Sequence, residues 1–336
     1  MKNEIVKIKS GTALQKLLAF AALIVIYTFF AIFGNNFVST STILNILSSS
    51  YYVGFLAIGV TFVIITGGID LSIGTVLMCS ALIGALAYRD WGWPLWLALL
   101  LIVFVGTVFG LINGLLVTKL KLPPFIATLG MMMVSLGFGS IITNTTSKNF
   151  PTINEADSWF SRVFLKTKAD MFGSSIDIPT AAIWLFSFFF IMLLVLNKTK
   201  IGRYIFAIGS NEEAVRLSGV KSDNWKCIAY VISGMSAGLG AIFYAATYSR
   251  VIPNTGNGFE LTAIAAVVIG GTSLSGGVGS LTGTLIGVFI MSILKNGLVS
   301  ISLPAPYQTF FTGLVVIGAV MLDIYRNEKA NKVKKH

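Results

Sequence analysis

Ten times along this chain a run of roughly twenty residues passes with almost no charge, close to what a helix needs to cross about 30 Å of hydrocarbon. The runs lie near 14–34, 51–66, 70–88, 95–118, 123–143, 179–197, 227–249, 259–275, 279–297 and 307–325. A backbone in lipid finds no water to bond with, so the expected fold is an all-α polytopic membrane protein of about ten transmembrane helices in one domain, 1–336. Composition agrees, with 55% of the residues hydrophobic and 11% charged. The run 259–275 opens at Glu260 and closes in glycines, the pattern of a broken or re-entrant helix. The first run follows a basic start with no A-x-A cleavage site, so it reads as a retained span.

Charge sets the orientation. A net charge of +11 would point to nucleic acid in a soluble protein, but here the question is which side of the bilayer it faces. With the N-terminus in the cytoplasm, seventeen of the 24 Lys and Arg fall on cytoplasmic segments. Both termini are then cytoplasmic, the polar segment 198–226 lies inside, and the longest outer loop is 144–178. Lys295 is expected to snorkel to the outer interface. Trp91, Trp93 and Trp96 cluster at the outer end of span four, as interfacial anchors or as a face for stacking on sugar.

Glycines one turn apart let helix backbones approach closely, and the chain does this twice, with Gly106, Gly110 and Gly114 and again with Gly279, Gly283 and Gly287. The stretches beginning at Gly106 and Gly283 both open G-T-x-x-G and both reach a Leu-Pro that starts the next span. Spans four and nine run in opposite directions, as do five and ten, which is the mark of an inverted repeat of two five-helix halves. Glycine-rich packing alone would leave the same trace. "GGIDLSIG" (67–74) and "GGTSLSGG" (270–277) fall at non-equivalent places in that scheme, and their likeness reads as chance.

Much chemistry is absent. No G-x-x-x-x-G-K-[ST] cradles nucleotide phosphates, and "GGVGSLTG" places Thr282 where a dinucleotide fingerprint needs glycine. The one histidine is His336, so neither H-E-x-x-H nor a serine–histidine pair exists, and Cys79 and Cys227 sit in apolar runs. No cofactor, metal or catalytic site is expected. Asp70, after Gly67 and Gly68, reads as the N-cap of the next helix or as the ligand of a coupled ion. Asn113 lines a hydrophilic path or bonds a neighbouring helix.

The segment "GRYIFAIGSNEEAVRLSGVKSDNWK" is the most polar stretch between two long apolar walls. Ser210 with Glu213 forms a capping-box pair, Glu212 and Glu213 sit at the positive end of a helix dipole and Arg216 at the negative end. Gly219 then stops the helix, with Val220 beyond it. The spacing predicts a helix over 211–218, too short to cross anything, whose Ala214, Val215 and Leu217 need a surface. A groove on a soluble partner would serve, as would this chain's own membrane face.

Those residues carry a resemblance. "GRYIFAIGSNEEAVRLSGV", "GGIDLSIG", "LPPFIATLG", "GFELTAIAAVVIGGTSLSGGVGSLTGTLIG" and "PYQTFFTGLVVIGAV" before a basic tail resemble, in order over about 14–325, the ribose-type permeases of ABC sugar importers. The resemblance implies a permease subunit in a bacterial cytoplasmic membrane, paired with a second copy. It implies a cytoplasmic ABC ATPase, as two chains or one fused double, and an extracytoplasmic sugar-binding protein, with membrane lipid around the chain and no nucleic acid. It makes Gly209, Asn211, Glu212, Glu213, Ala214, Val215, Arg216, Leu217, Ser218 and Gly219 the coupling loop that docks in the ATPase. Asp70, Ser72, Asn113 and Thr128, polar groups near the repeat axis, become candidates for the translocation path. Glu155, Asp157, Arg162 and Lys166 of the outer loop either meet the binding protein or are simply solvated. The expected cargo is a monosaccharide, a pentose such as ribose being favoured, with substrate choice resting largely on the binding protein. The other reading is an ion-coupled secondary carrier of a small polar solute, with Asp70 as the charge that matters.

Overall fold

The computed structural model describes residues 2–152, 155–171 and 174–333. Lys334, Lys335 and His336 lie outside the described residues, as do 153–154 and 172–173 of the long loop. The helices are α1 (Lys2–Phe33), α2 (Thr40–Ile65), α3 (Ile73–Arg89), α4 (Leu95–Thr118), α5 (Pro124–Ile142), α6 (Trp159–Phe164), α7 (Thr180–Lys198), α8 (Lys200–Leu217), α9 (Ser222–Tyr248), α10 (Phe259–Ile269), α11 (Leu281–Ser300) and α12 (Ala305–Val333). Among the described residues seven are long and apolar enough to cross a membrane, and shorter apolar helices, Leu17–Phe33, Ile73–Arg89 and Phe259–Ile269, stand where the other three spans were expected. The chain is an all-α polytopic membrane protein.

Local chemistry sets most helix ends. Ser39 caps α2 by accepting the Thr42 N–H at 3.3 Å, and Ser280 caps α11 by accepting the Gly283 N–H at 3.3 Å. Prolines stand at the starts of α4, α5 and α7, where the missing N–H costs nothing. The second span begins at Thr40 and not near 51, because 40–50 is a capped, helix-compatible stretch that extends an apolar core helix. The doubtful run 259–275 resolves into α10, eleven residues long, followed by a glycine turn. At 1.5 Å per residue α10 rises about 16 Å, half of what a span needs.

α2 is apolar on every side and therefore central. Of its most apolar stretch 94% is buried, against 6% for Ala305–Tyr325 of α12, which lies at the edge. Around α2 pack α7, α9, α10 and α11. The tightest helix pair is α4 with α9, and both glycine stripes earn their spacing in packing. A Cβ on Gly106 would stand 2.8 Å from Gly238 N, one on Gly110 2.9 Å from Gly234 Cα, and one on Gly114 3.0 Å from Cys227 Cα. The second stripe presses Gly283 onto Gly270 and Gly287 onto Ala266 of α10.

Helix ends sort onto two faces. One carries α8 together with the α2–α3, α4–α5 and α10–α11 connections, tied by Lys121 to Asp223 at 2.8 Å. The opposite face is roofed by the loop 144–178, which holds β1 (Lys148–Asn149), β2 (Thr167–Met171) and β3 (Ser174–Ile178). β1 pairs antiparallel with β4 (Arg250–Val251), Lys148 facing Val251, and β2 pairs antiparallel with β3, Thr167 facing Ile178. Phe150 and Phe160 stack at 5.5 Å and are fully buried, so this loop is a packed cap. Several of its charges are paired at the surface: Arg89 holds Glu155 at 2.6 Å, Tyr88 donates to Asp157 at 2.9 Å and Lys166 pairs with Asp177 at 2.7 Å. The Arg89 guanidinium lowers the Glu155 carboxyl below the usual carboxylate range. Among the described residues Arg162 makes no ion pair.

Candidate functional site

Two polar constellations stand out in the bundle: the segment after α7, and the polar residues within the spans. Thr199 caps α8, accepting the Ile201 N–H at 3.2 Å, and Gly202, Ile205 and Ile208 seat the helix on the bundle. At Asn211 the backbone turns extended (φ −161°, ψ 96°) and the helix breaks. Asn211 Oδ1 then accepts the Ala214 N–H at 2.9 Å, so Asn211 itself caps the short turn 212–217. The expected Ser210 cap is therefore corrected. Ser210 is held as the last residue of the packed part of α8, with its backbone against Gly277. The expected separate helix over 211–218 is likewise the kinked end of a longer one.

The stop is as predicted. Gly219 adopts φ +83°, its N–H reaches the Arg216 carbonyl at 3.1 Å, and the Val220 N–H reaches Val215 at 3.4 Å. Glu212 is anchored by Lys226 at 2.5 Å and by the Ser222 hydroxyl at 3.1 Å, which fixes the turn against the start of α9. Ala214, Glu213, Arg216 and Ser218 are exposed and Val215 is half-buried. Leu217 is 83% exposed, more than any other large apolar side chain described. Little of it touches the rest of this chain.

Behind this turn the contacts are backbone on backbone. Gly209 lies against the Ile65 carbonyl and Gly277, and the Gly277 N–H donates to Ile65 O at 2.9 Å. Gly276 (φ +81°) packs on Gly67 (φ +78°), where a Cβ on Gly276 would stand 2.8 Å from Gly67 N. The two glycine motifs whose likeness looked accidental are thus in contact with each other, and one of them touches the polar segment. Each follows the end of a buried helix, α2 or α10.

Three residues beyond Gly67 lies Asp70, 1% exposed. Its Oδ1 accepts the Ser72 N–H at 3.0 Å and the Ser72 hydroxyl at 2.7 Å, and its Oδ2 accepts the Ser233 hydroxyl at 2.8 Å. Asp70 stands two residues ahead of the cap position of α3, which Ser72 occupies, so it braces the helix start without being its N-cap. Asn113 of α4 donates to Ser72 Oγ at 2.8 Å, and its Oδ1 has no hydrogen-bond partner among the described residues. Asp70, Ser72 and Asn113 are therefore one cluster. Thr128 sits beside it, donating to Pro124 O at 2.9 Å with Ile69 O at 3.5 Å. Tyr230 donates to the same Ile69 carbonyl at 3.2 Å. Between Asp70, Ser72, Asn113, Gly110 and Gly234 no room remains for a water molecule. Sequence reasoning missed Ser233 and Tyr230. A serine beside Gly234, in a stripe of small residues, carries the same signal as helix packing.

The family described as "Branched-chain amino acid transport system / permease component" matches residues 42–320. The chain belongs to this permease family. Relatives of the permease include the ribose import permease protein RbsC of Bacillus subtilis, 38% identical over 324 residues, which span 96% of the permease and 97% of the relative. RbsC of Haemophilus influenzae is 36% identical over 332 residues, 98% and 99% of the two chains. The fructose import permease protein FruG of Bifidobacterium longum is 32% identical over 326 residues, 96% and 95% of the two. No solved structure matches the permease. It is a transporter component and not an enzyme, and both constellations are to be read in that light.

Proposed function

We propose that the permease is the membrane-spanning subunit of an ABC importer that passes a monosaccharide, ribose or a close relative, inward across the bacterial cytoplasmic membrane. Ribose is favoured because the ribose import permeases align over nearly their whole length at 36–38% identity. The observation that carries the mechanism is Leu217, 83% exposed at the tip of a capped turn. An apolar side chain held out on a short, anchored helix fits a groove of a soluble partner. In this reading the turn 212–217 sits in a cytoplasmic ATPase, with Gly209, Asn211 and Gly219 shaping it and Glu212 bracing it. Motion of the ATPase is passed through Gly209 to the paired glycine turns, and from there to the α3 start that Asp70 holds.

The path residues take a more specific place in this proposal. Asp70, Ser72 and Asn113 form a closed lock joining α3, α4 and α9, with Thr128 at its border, and the lock must loosen when the path opens. A second permease copy completes the path, the binding protein meets the capped loop face, and both termini lie in the cytoplasm. An ion-coupled carrier would instead use Asp70 as its coupling charge, but that carboxylate already accepts three hydrogen bonds from its own chain.

The test is reconstitution of the permease in liposomes with its ATPase and binding protein, ATP inside and no ion gradient. Uptake of ribose that needs all three proteins supports the reading. Uptake by the permease alone, driven by a proton or sodium gradient, overturns it.

A further inference from the structure

Beside the turn 212–217 lies a cavity of about 340 Å³, walled by that turn, by the α4–α5 connection and by the start of α9. Its charged lining is Lys119, Lys121, Arg216 and Lys221 with Glu212 and Asp223. Both acids are already committed. Asp223 takes the Lys121 ammonium on its two carboxylate oxygens at 2.8 Å, and Glu212 turns to Lys226 and to the Ser222 hydroxyl. Lys121 does so from φ +55°, a left-handed backbone that a lysine seldom takes. Lys119, Arg216 and Lys221 remain, and their side chains make no ion pair among the described residues.

Three unpaired cations around one concave site repel each other, and an entering anion relieves them all. Arg216 adjoins Leu217 in the chain, so a partner that takes Leu217 also passes over the cavity. Resting on the reading of 212–217 as the docking turn, we propose that the cavity receives an acidic side chain of the ATPase. Its carboxylate lies on the Arg216 guanidinium, whose fork suits two parallel hydrogen bonds, with Lys119 and Lys221 beside it. Leu217 is then the apolar anchor, while the acidic contact fixes the register of docking and speeds encounter. A lipid phosphate carries the same charge, but at this place it would occupy a wall that the docked partner covers.

The test is binding of labelled ATPase to the whole permease in phosphatidylcholine nanodiscs, at about 0.05 M and about 0.5 M salt. Native affinity should fall about tenfold over that range. A variant with Lys119→Gln, Arg216→Gln and Lys221→Gln should bind about tenfold more weakly at low salt and lose most of the salt dependence. All three side chains are exposed, so its fold should be unchanged. Leu217→Ser should bind more weakly but keep the salt dependence. Carbodiimide, which joins an amine to a touching carboxylate, should link Lys119 or Lys221 to an Asp or Glu of the ATPase, the internal Lys121–Asp223 link serving as control. Weak binding by Leu217→Ser with native behaviour of the triple variant would overturn the acidic contact and leave the docking turn standing. Native behaviour of both would remove the docking turn as well. No link to the ATPase while the control forms would also overturn the proposal. So would a charge effect seen only with phosphatidylglycerol in the nanodisc, which would mean a lipid site.

Discussion

Replacing Leu217 by Asp should detach the permease from its ATPase while leaving the permease itself intact. Fully burying a leucine side chain is worth about 1.5–3 kcal/mol. With 83% of Leu217 available to a partner, the loss on removing it is about 2 kcal/mol, or about thirtyfold in affinity. A carboxylate forced into an apolar cleft adds a desolvation cost, so the Asp variant should lose more than thirtyfold. Asp in the last turn of a helix also opposes the dipole by about 0.3–1 kcal/mol. Leu217→Ser carries no charge and separates the two effects; it should show the thirtyfold loss alone. The assay is the equilibrium between permease in nanodiscs and labelled ATPase, together with ATP hydrolysis stimulated by sugar-loaded binding protein. Thermal unfolding of the Ser variant should match the native permease, because the side chain contributes little to its own fold, and the Asp variant should lose no more than the dipole cost of about 1 kcal/mol. Affinity within twofold of native for both variants, at normal expression, would refute docking through Leu217.

Substitutions at four other positions address the bundle. Gly110→Val brings a side chain within 2.9 Å of Gly234 Cα and should lower stability by about 1–3 kcal/mol through overpacking. Gly137→Ala meets no atom within 4 Å and should gain about 0.5–1 kcal/mol from helix propensity; thermal denaturation compares the two. Asp70→Asn keeps an acceptor for Ser72 and lets the Ser233 hydroxyl turn to accept from the amide, so transport should stay within about threefold of native. Asp70→Ala strands three donors and should cost about 1–3 kcal/mol of stability; loss of transport in the Asn variant at normal expression would make the charge itself necessary. Gly209→Ala presses a methyl on the Ile65 carbonyl and should cut sugar moved per ATP in the reconstituted system, with ATPase binding retained.

The seven long spans were readable because lipid demands long apolar runs, and glycines four apart announced close packing of α4 and α11, though not that the partner of α4 is α9. The end of the turn 212–217 was readable because Gly219 acts locally. Its beginning was not: Ser210 and Asn211 are equally good caps by sequence, and Asn211 wins because Gly209 and Ser210 are pinned on Gly277 and Ile65, far away in the chain. The front part of α8 was missed for a similar reason, since Gly202 and Gly209 interrupt the helical signal of Lys200–Ser210 locally and the segment is seated on distant residues through Gly202, Ile205 and Ile208. Asp70 was visible as a lone acid, but its partner Ser233 lies 163 residues away. Hydroxyls that bond across helices leave no periodic trace.

The break at Asn211 also marks a seam for grafting. Up to Gly209 the segment is fitted to this bundle, with no room for a side chain at Gly202 or Gly209, whereas from Asn211 to Gly219 most of the surface faces outward. A chimera that exchanges 211–219 with a relative, and carries Lys226 along whenever Glu212 changes, should swap allegiance between motor proteins and keep its own cargo route. Moving the boundary two residues earlier should yield a protein that assembles with the new motor and idles.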